Sequence, residues 1–376
     1  MSDTPIDGTC DRRFAALKDA FAANFASGLD VGASVAVVHR GHLVVDLWGG
    51  FVDEERTTPW QRDTITNVYS TTKTMSSLAV HILSDRGQVD LDAPVATYWP
   101  EFAANGKEQV LVRHVLGHTA GLSGWEEKQA PADLYDWDAS CAKLARQAPW
   151  WTPGTASGYH AITQGYLLGE IVRRVTGQGF GAWFREEVAE SLDADFHIGL
   201  DPAEFGRIAP VIPPPLPKRP EVMPPMLVRT MTNPRLSAEQ SWEDGWRIAE
   251  IPAGNGHGNA RSVALCQAVV STPVVEGVSL LSRNAANRIL ETQSDGDDLV
   301  LGDRYRFGMG WALSSPGLTL PIGDRACFWG GWGGSVVVND LDRELTVAFV
   351  MNKMRETTVG DQRSATLVAA AQAAVD

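Results

Sequence analysis

The sequence lacks any apolar run long enough to cross a membrane, and it has no excess of positive charge. No apolar stretch approaches the roughly 18–20 residues of a spanning helix. Lysine and arginine total 32 against 46 aspartates and glutamates, a net charge of −14. This balance leaves no broad basic surface for nucleic acid or anionic lipid. The N-terminus also lacks a basic region followed by an apolar one, so we expect a cytoplasmic protein without a secretory signal.

Cysteine is scarce, and the motifs of two common hydrolase classes are missing. The four cysteines lie far apart, with neither a CxxC pair nor the spacing of a zinc site: Cys10, Cys141, Cys266 and Cys327. Free thiols in a reducing compartment are therefore expected. Neither G-x-S-x-G nor HExxH occurs, so an alpha/beta-hydrolase site and a zinc protease site are not indicated.

The two ends of the chain carry strand patterns. Residues 33–50 read as two strands around a His-Arg-Gly turn, and residues 326–353 as a strand, a glycine-rich bend and a hairpin turning at Leu341 and Asp342. A helix is predicted near each terminus, over about 11–27 and 363–375. We therefore predict that strands from both ends form one antiparallel sheet.

The middle of the chain is mainly helical by pattern. Residues 71–86 and 161–177 have apolar residues at helical spacing, and each helix ends at a glycine. Nine prolines lie between residues 210 and 234. This segment could be a linker or an ordered, irregular cover over one face of the protein. We favour the cover because apolar residues alternate with the prolines. The 376 residues are thus divided into an alpha/beta lobe of 1–65 and 258–376 and an inserted helical lobe of 66–257.

A serine and a lysine stand three residues apart where the first of these helices begins. The polar side of the helix carries mostly small side chains, which favours a position beneath a cleft over a solvated face: Ser70, Lys73, Thr74, Ser77 and His81. A serine at a helix start is favoured as a nucleophile by the helix dipole and by its own backbone N–H. The lysine lies within reach of its hydroxyl, and it can act as a base only where burial or a nearby cation keeps it neutral.

Two further groups of residues leave alternatives open. His114 and His118, at i and i+4, could ligate a metal on one helix face, but no third acidic ligand accompanies them, so we expect no metal and no other cofactor. The segment "NGHGNAR" at 255–261 fits either a pocket wall or a glycine-rich turn. Thirteen tryptophans suggest that some large aromatic side chains line a ligand site.

Four motifs in order resemble the serine beta-lactamase and penicillin-binding protein superfamily, over about residues 30–355. Ser70-Thr71-Thr72-Lys73 matches its Ser-x-x-Lys motif. "RHVLGHTAGL" at 113–122 is similar to "LL-x-HTSGL", and Pro153-Gly154 followed by Tyr159 to the PG…Tyr-x-Asn segment. Trp329-Gly330-Gly331 stands where the family has Lys-Thr-Gly. The resemblance implies a beta-lactamase-like fold with the site between the two lobes.

Two departures from the family pattern bear on the substrate. Ala161 replaces an Asn or Ser that contacts the substrate amide, and Trp329-Gly330 replace the pair that holds the carboxylate of penicillins. Trp-Gly-Gly resembles the family VIII carboxylesterases, as do "ADLYDWD" at 132–138 and "GYHAIT" at 158–163. The resemblance therefore implies a serine carboxylesterase for short-chain or moderately bulky esters.

The resemblance also implies roles for individual residues. Ser70 would attack the ester, Lys73 would accept its proton, Tyr159 would protonate the leaving alcohol, and the backbone N–H groups of Ser70 and Trp332 would form the oxyanion hole. Substrate contacts are expected from Trp329, Gly330, Gly331, His160, Asn255 and His257. An acyltransferase of the same fold, a beta-lactamase or amide hydrolase, and a non-catalytic binding protein are the alternatives. The sequence leaves open whether the chain forms a homo-oligomer.

Overall fold

The computed structural model describes residues 4–214, 223–316, 318 and 320–376. The strands are β1 (Ile6–Cys10), β2 (Gly32–His39), β3 (His42–Gly50), β4 (Thr66–Asn67), β5 (His257–Gly258), β6 (Ser294–Asp297), β7 (Arg304–Phe307), β8 (Ala312–Leu313), β9 (Ala326–Gly330), β10 (Val336–Asp340) and β11 (Leu345–Met351). The helices are α1 (Ala15–Ala26), α2 (Thr72–Asp85), α3 (Val112–Leu116), α4 (Trp137–Arg146), α5 (Thr163–Thr176), α6 (Phe180–Phe184), α7 (Pro225–Met231), α8 (Asp244–Ile248), α9 (Ala260–Ser271), α10 (Arg283–Ile289) and α11 (Gln362–Ala373).

Strands from both ends of the chain form one antiparallel sheet. Across the described residues nine strands pair in the order β1-β3-β2-β11-β10-β9-β8-β7-β6, while β4 and β5 pair separately. The central contact joins β2 to β11, with Val37 opposite Val347. The predicted fold class, a sheet from both termini with an inserted and mainly helical lobe, is confirmed. The lobe boundaries at residues 65 and 257 stay a prediction.

The two central strands are buried on both faces because helices cover the sheet on each side. In β2, Ala36 and Val38 join one core while Val35 and Val37 join the other, as the two-residue period of a strand requires. Helix α9 packs on the first face, and α1 packs with α11 on the second. The turn between β2 and β3 uses Arg40 (φ 51°) and Gly41 (φ 80°), the left-handed pair that suits a two-residue hairpin.

Several elements were not predicted from the sequence. Strand β1 adds to the edge of the sheet beyond β3, and β6, β7 and β8 extend its other edge. In the proline-rich region, residues 215–222 lie outside the described part of the chain, so the predicted cover is described only in part. Ile212 bridges to Lys353 next to the sheet, and helix α7 follows at Pro225–Met231.

Helix α2 is enclosed by protein along nearly its whole length. Its residues 72–83 are all buried, and it packs against α5, α9 and α10. Of its small polar side chains, Ser77 meets Gly310 and the ring of His81 bonds the carbonyl of Met309 at 2.8 Å. The polar side of α2 is therefore buried rather than solvated, and only its first turn reaches the site.

Three further features of the structure bear on the sequence analysis. Within the described residues no helix is both long enough and apolar enough to cross a membrane. All four cysteines are free thiols, as expected. Helix α5 ends at Gly177, whose φ of 75° is the left-handed conformation typical of a helix C-terminus.

Candidate active site

Ser70 lies in a tight turn between β4 and α2 and is partly exposed. The residue before it, Tyr69, has a φ of 44°, a left-handed conformation that costs energy for a residue with a side chain. Surrounding contacts hold it there: the Tyr69 hydroxyl donates to the carbonyl of Ala238 at 3.0 Å, and the N–H of Val68 donates to Gly256 at 2.9 Å. Ser70 is thereby presented at the start of a buried helix.

Lys73 is fully buried one turn into the helix. Its Nζ lies 3.0 Å from Ser70 Oγ, 2.6 Å from the carbonyl oxygen of Ala161 and 2.8 Å from that of Ala253. Burial lowers the pKa of Lys73 well below its ordinary value of 10.5, because an ammonium ion is poorly solvated there. A neutral amine satisfies all three contacts, since its two N–H groups donate to the carbonyls and its lone pair accepts the Ser70 proton.

Tyr159 approaches the same serine from the other side. Its hydroxyl lies 2.8 Å from Ser70 Oγ, and Lys73 Nζ lies 4.9 Å from the centre of its ring. Burial raises the pKa of Tyr159 above its ordinary value of 10.0, so the hydroxyl keeps its proton at neutral pH. The three groups can form one chain of hydrogen bonds, from Tyr159 O–H to Ser70 O–H to Lys73.

The segment after β9 brings the Trp332 backbone beside the serine turn. Gly331 permits this approach, because a Cβ atom there would lie 2.1 Å from the carbonyl oxygen of Val68. Ser335 Oγ donates to the same carbonyl at 3.0 Å and accepts from Thr71 Oγ1 at 2.9 Å. Within the described residues, no acceptor bonds the N–H of Ser70 or of Trp332. Both therefore remain available for the oxyanion-hole role predicted for them.

Trp329 lies behind Tyr159 in an aromatic cluster. Its ring centre is 5.3 Å from that of Tyr159, 5.6 Å from Phe307 and 6.0 Å from Tyr305, and only 2% of the residue is exposed. Within the described residues, β8 pairs with β9 only at Cys327 and Phe328. The edge at Trp329 and Gly330 is thus left unpaired on that side, next to the site. Trp329 therefore places a buried, uncharged ring behind Tyr159 where the family pattern has a cation, and it offers little surface to a substrate.

Three of the predicted substrate-binding residues support the site from behind. His160 is fully buried, with Nδ1 bonded to the Gly158 carbonyl at 2.7 Å and Nε2 accepting from the Leu122 N–H at 3.1 Å. Burial lowers the pKa of His160 to about 3, so the ring is neutral. We assign it to the support of the Tyr159 segment rather than to substrate contact.

Asn255 and His257 are likewise inside the protein. The Asn255 side chain accepts from the N–H of Ile251 at 2.9 Å and donates to the carbonyl of Trp246 at 2.7 Å. His257 is 1% exposed, and its Nδ1 bonds the Asn255 carbonyl at 2.8 Å. Their segment is the glycine-rich turn of the two earlier alternatives. It braces the start of α2 and offers no surface to a substrate.

The two histidines considered as metal ligands do not share a helix face. Helix α3 ends at Leu116, and His118 follows it with a φ of 59°. His114 Nδ1 accepts from the N–H of Leu111 at 3.2 Å, while His118 Nδ1 accepts from that of His160 at 3.1 Å. In the part of the chain that the structure describes, no cluster of three or more His, Cys, Asp or Glu side chains is arranged to hold a metal ion.

Asp298 was not singled out in the sequence. Its Oδ1 accepts from the backbone N–H groups of Tyr159 at 3.0 Å, Val300 at 2.9 Å and Leu301 at 2.9 Å. This buried carboxylate fixes the backbone of Tyr159. No local pattern marks such a residue, because its role depends on a contact across 139 positions of the chain.

Comparisons with known proteins agree with this fold. A family model described as Beta-lactamase matches residues 21–372. The esterase/beta-lactamase LipL of Mycobacterium tuberculosis is 35% identical over 365 residues, covering 93% of this chain and 83% of LipL. The crystal structure of a family VIII carboxylesterase is 40% identical with a TM-score of 0.94, covering 98% of this chain and 100% of that one. A penicillin-binding protein homolog from Caulobacter crescentus is 39% identical with a TM-score of 0.92, covering 99% and 100%. The resemblance seen in the four motifs is confirmed, and the chain belongs to the beta-lactamase family.

Proposed function

We propose that this protein is a serine hydrolase that cleaves carboxylic esters through a covalent acyl-enzyme on Ser70. The observation that carries the proposal is the shared contact at Ser70 Oγ, where Lys73 Nζ lies at 3.0 Å and the Tyr159 hydroxyl at 2.8 Å. Hydrolysis of esters is supported by the names of its similar proteins, an esterase/beta-lactamase and a family VIII carboxylesterase. The acyl-enzyme and the role of each residue are our inference from the geometry.

In acylation, Ser70 Oγ bonds to the ester carbonyl carbon while its proton passes to Lys73. The lowered pKa of Lys73 leaves the amine free to accept it. The negative charge that develops on the carbonyl oxygen is stabilised by the N–H groups of Ser70 and Trp332. The bond to the alcohol then breaks, and the hydroxyl of Tyr159 protonates the leaving oxygen. The proton held by Lys73 restores the tyrosine.

In deacylation, water attacks the acyl carbon and the same groups act in reverse. The pair formed by Lys73 and Tyr159 takes a proton from the water, and the Ser70 oxygen leaves and regains a proton. The acid is released and the enzyme returns to its first state. Ester and water are converted to acid and alcohol, so no other reactant is needed.

The surroundings of Ser70 favour an uncharged substrate. Two half-buried aromatic rings lie beside the site: that of Trp332 is 5.4 Å from the ring of Tyr69, and that of Tyr305 is 6.0 Å from the ring of Trp329. Trp329 occupies the position of the family's carboxylate-binding lysine, and an aromatic ring cannot replace that charge. We therefore propose esters with a short or moderately bulky neutral acyl group.

Labelling and turnover together test this function. Purified protein is treated with a fluorophosphonate and digested for mass spectrometry, and p-nitrophenyl esters of increasing acyl length are assayed. We expect the adduct on Ser70, and a loss of about a thousandfold or more in turnover for Ser70→Ala and for Lys73→Ala. Ser123→Ala is the control, because Ser123 is buried and bonded to Thr230. An adduct on Ser123, or turnover that survives in Ser70→Ala, contradicts the mechanism.

Beta-lactam hydrolysis is the second candidate, because LipL carries both activities in its name and is 35% identical over most of this chain. The acylation groups serve either substrate, so their presence does not discriminate. A chromogenic cephalosporin assayed beside the esters separates the two. Turnover of the cephalosporin at the rate of the esters would make this candidate the main function.

A further inference from the structure

A buried ionic cluster supports the loop that carries the Trp332 N–H. Arg363, in the first turn of α11, and Asp30, between α1 and β2, are 2% and 0% exposed. Arg363 Nη1 lies 2.7 Å from Asp30 Oδ1. The two ends of the chain therefore meet through a charged pair inside the protein, where each charge depends on the other for stabilisation.

All three nitrogen atoms of the Arg363 guanidinium donate hydrogen bonds. One of them reaches the loop, since Nη2 lies 2.8 Å from the carbonyl oxygen of Gly333. The others go to Asp30, to the Lys353 carbonyl at 2.9 Å and to the two carboxylate oxygens of Asp361 at 2.7–3.1 Å. A planar group held by this many contacts has one orientation, so its contact with the loop is fixed in place.

The loop sequence is adapted to this contact. Gly333 and Gly334 have φ values of 100° and 124°, which only glycine adopts readily. A Cβ atom on Gly334 would lie 2.4 Å from Arg363 Nη2. Glycine at this position is therefore required for the guanidinium to reach the backbone. The same glycines would leave the loop free to move if it had no anchor.

Trp332 stands between two fixed points of this loop. On one side Gly331 is held against Val68 and bonds Ser335 at 2.8 Å through its N–H. On the other side the Gly333 carbonyl accepts from both Arg363 and the N–H of Arg355. The N–H of Gly333 also donates to the carbonyl of Thr357 at 2.9 Å, and that of Gly334 to the carbonyl of Gly331 at 3.1 Å. Together these contacts restrict the direction of the Trp332 N–H.

We propose that Arg363, held by Asp30, is a positioning residue for the oxyanion hole. Its contact with Gly333 aims the Trp332 N–H at the oxygen that becomes negative in the transition state. This inference rests on the proposed function. A displaced donor loses much of its stabilisation of that oxygen, which is expected to cost about 10- to 100-fold in rate.

The test compares an ester with the matching thionoester, in which sulfur replaces the carbonyl oxygen. Sulfur is larger and a weaker acceptor, so a well-aimed oxyanion hole favours the oxygen ester. Arg363→Lys keeps the charge but loses the fork of donors. We expect it to lower kcat/KM for the oxygen ester about 10- to 100-fold, and to reduce the ratio of oxygen ester to thionoester by about tenfold. The rate of fluorophosphonate labelling at Ser70 should fall in parallel.

The control is Arg261→Lys, because Arg261 forms another largely buried ion pair, with Asp46 at 3.3 Å. It should leave the ratio unchanged even if stability falls. If Arg363→Lys does not fold, Asp30→Asn is the second test, because it keeps the shape of the side chain that anchors Arg363 and removes its charge. It should reduce the ratio of oxygen ester to thionoester at least about threefold. An equal loss for both esters, or an unchanged labelling rate, overturns the inference.

Different results would contradict the proposed function and the positioning role of Arg363. Wild-type protein that hydrolyses no ester contradicts the function, while the labelling rate still measures how well the hole is aimed. Wild-type protein that hydrolyses esters with a ratio unaffected by Arg363→Lys contradicts the positioning role alone.

Discussion

A single lysine placed where its charge is poorly solvated is the basis of the proposed chemistry. Lys73 bonds two backbone carbonyls and Ser70, and burial alone accounts for its lowered pKa. A hydrophobic side chain of similar size would suit the interior better in one respect, because it carries no charge to desolvate. The lysine is therefore the kind of residue that serves function at a cost in stability.

Replacing Lys73 by methionine should flatten the dependence of stability on pH. In the unfolded chain the lysine titrates near its ordinary pKa of 10.5, whereas burial lowers the native pKa well below that. Between the two values the unfolded protein binds one more proton, so the free energy of unfolding rises with pH by up to about 1.4 kcal/mol per unit from this group. Urea unfolding from about pH 7 to 9 should give a shallower rise for Lys73→Met. The exposed Lys128→Met is the control, and parallel curves for Lys73→Met and wild type would contradict the lowered pKa.

Replacing Tyr159 by phenylalanine should lower kcat/KM most for esters with poor leaving groups. The tyrosine keeps its proton because burial raises its pKa, so it is suited to protonate the departing alcohol. We expect kcat/KM to fall about 100-fold for an ethyl ester and much less for a p-nitrophenyl ester, whose leaving group needs no proton. Tyr166→Phe, which removes another buried hydroxyl bonded to a carbonyl, that of Leu134, is the control. An equal loss for both esters would assign Tyr159 to another step.

At the scale of elements, the helices and strands that the sequence predicted are those whose apolar residues recur at a regular spacing. Helices α2 and α5 and the hairpins near both ends were found within a few residues, because each buries a face that repeats at its own period. The missed strands lack that signal. Strand β6 is Ser-Asp-Gly-Asp and half exposed, and β1 alternates between half-buried and exposed positions at the sheet edge. Both are held largely by backbone pairing, which leaves little trace in composition.

The segment after β9 gives a prediction at this scale, at Gly331. A Cβ atom there would lie 2.1 Å from the Val68 carbonyl and 2.5 Å from Ser335 Oγ, so Gly331→Ala must push the strand end away from the serine turn. The Trp332 N–H moves with it, and we expect kcat/KM for esters to fall about 100-fold. Gly206→Ala is the matched control, since nothing lies within 4 Å of the added atom. If Gly331→Ala retains full activity, the Trp332 N–H is not part of the oxyanion hole.

At the scale of the whole molecule, the site combines segments that are far apart in sequence. The order of the motifs indicated Ser70, Lys73 and Tyr159, and the structure brings these three together. The sequence did not reveal two residues that support the site. Asp298 bonds the backbone of Tyr159 and Arg363 bonds the loop that carries Trp332, and both contacts exist only once the chain has folded. The same limit explains why His160, Asn255 and His257 were expected to contact substrate, because proximity in sequence to a motif does not reveal burial.

The charge of the whole chain supports the final prediction, a preference for neutral esters over anionic beta-lactams. The net charge of −14 repels an anion at long range, and Trp329 provides no cation at short range. We expect kcat/KM for a short p-nitrophenyl ester to exceed that for nitrocefin by at least about 100-fold. Because salt screens repulsion, added salt should raise kcat/KM for nitrocefin and leave the ester value unchanged.

Variants at Trp329 separate this electrostatic cause from the intrinsic ease of cleaving an activated ester. Trp329→Lys restores a cation beside Tyr159, and losing such an anchor typically costs about 100-fold, so the substitution should shift the ratio toward nitrocefin by at least about tenfold. It should also reduce the effect of salt on nitrocefin, because the new local attraction offsets part of the long-range repulsion, and salt screens both. Trp329→Phe keeps the position neutral and should not shift the ratio toward nitrocefin, and thermal unfolding of both variants checks that the fold is retained. Wild-type protein that cleaves nitrocefin as fast as the ester would mean that the missing cation does not decide the substrate.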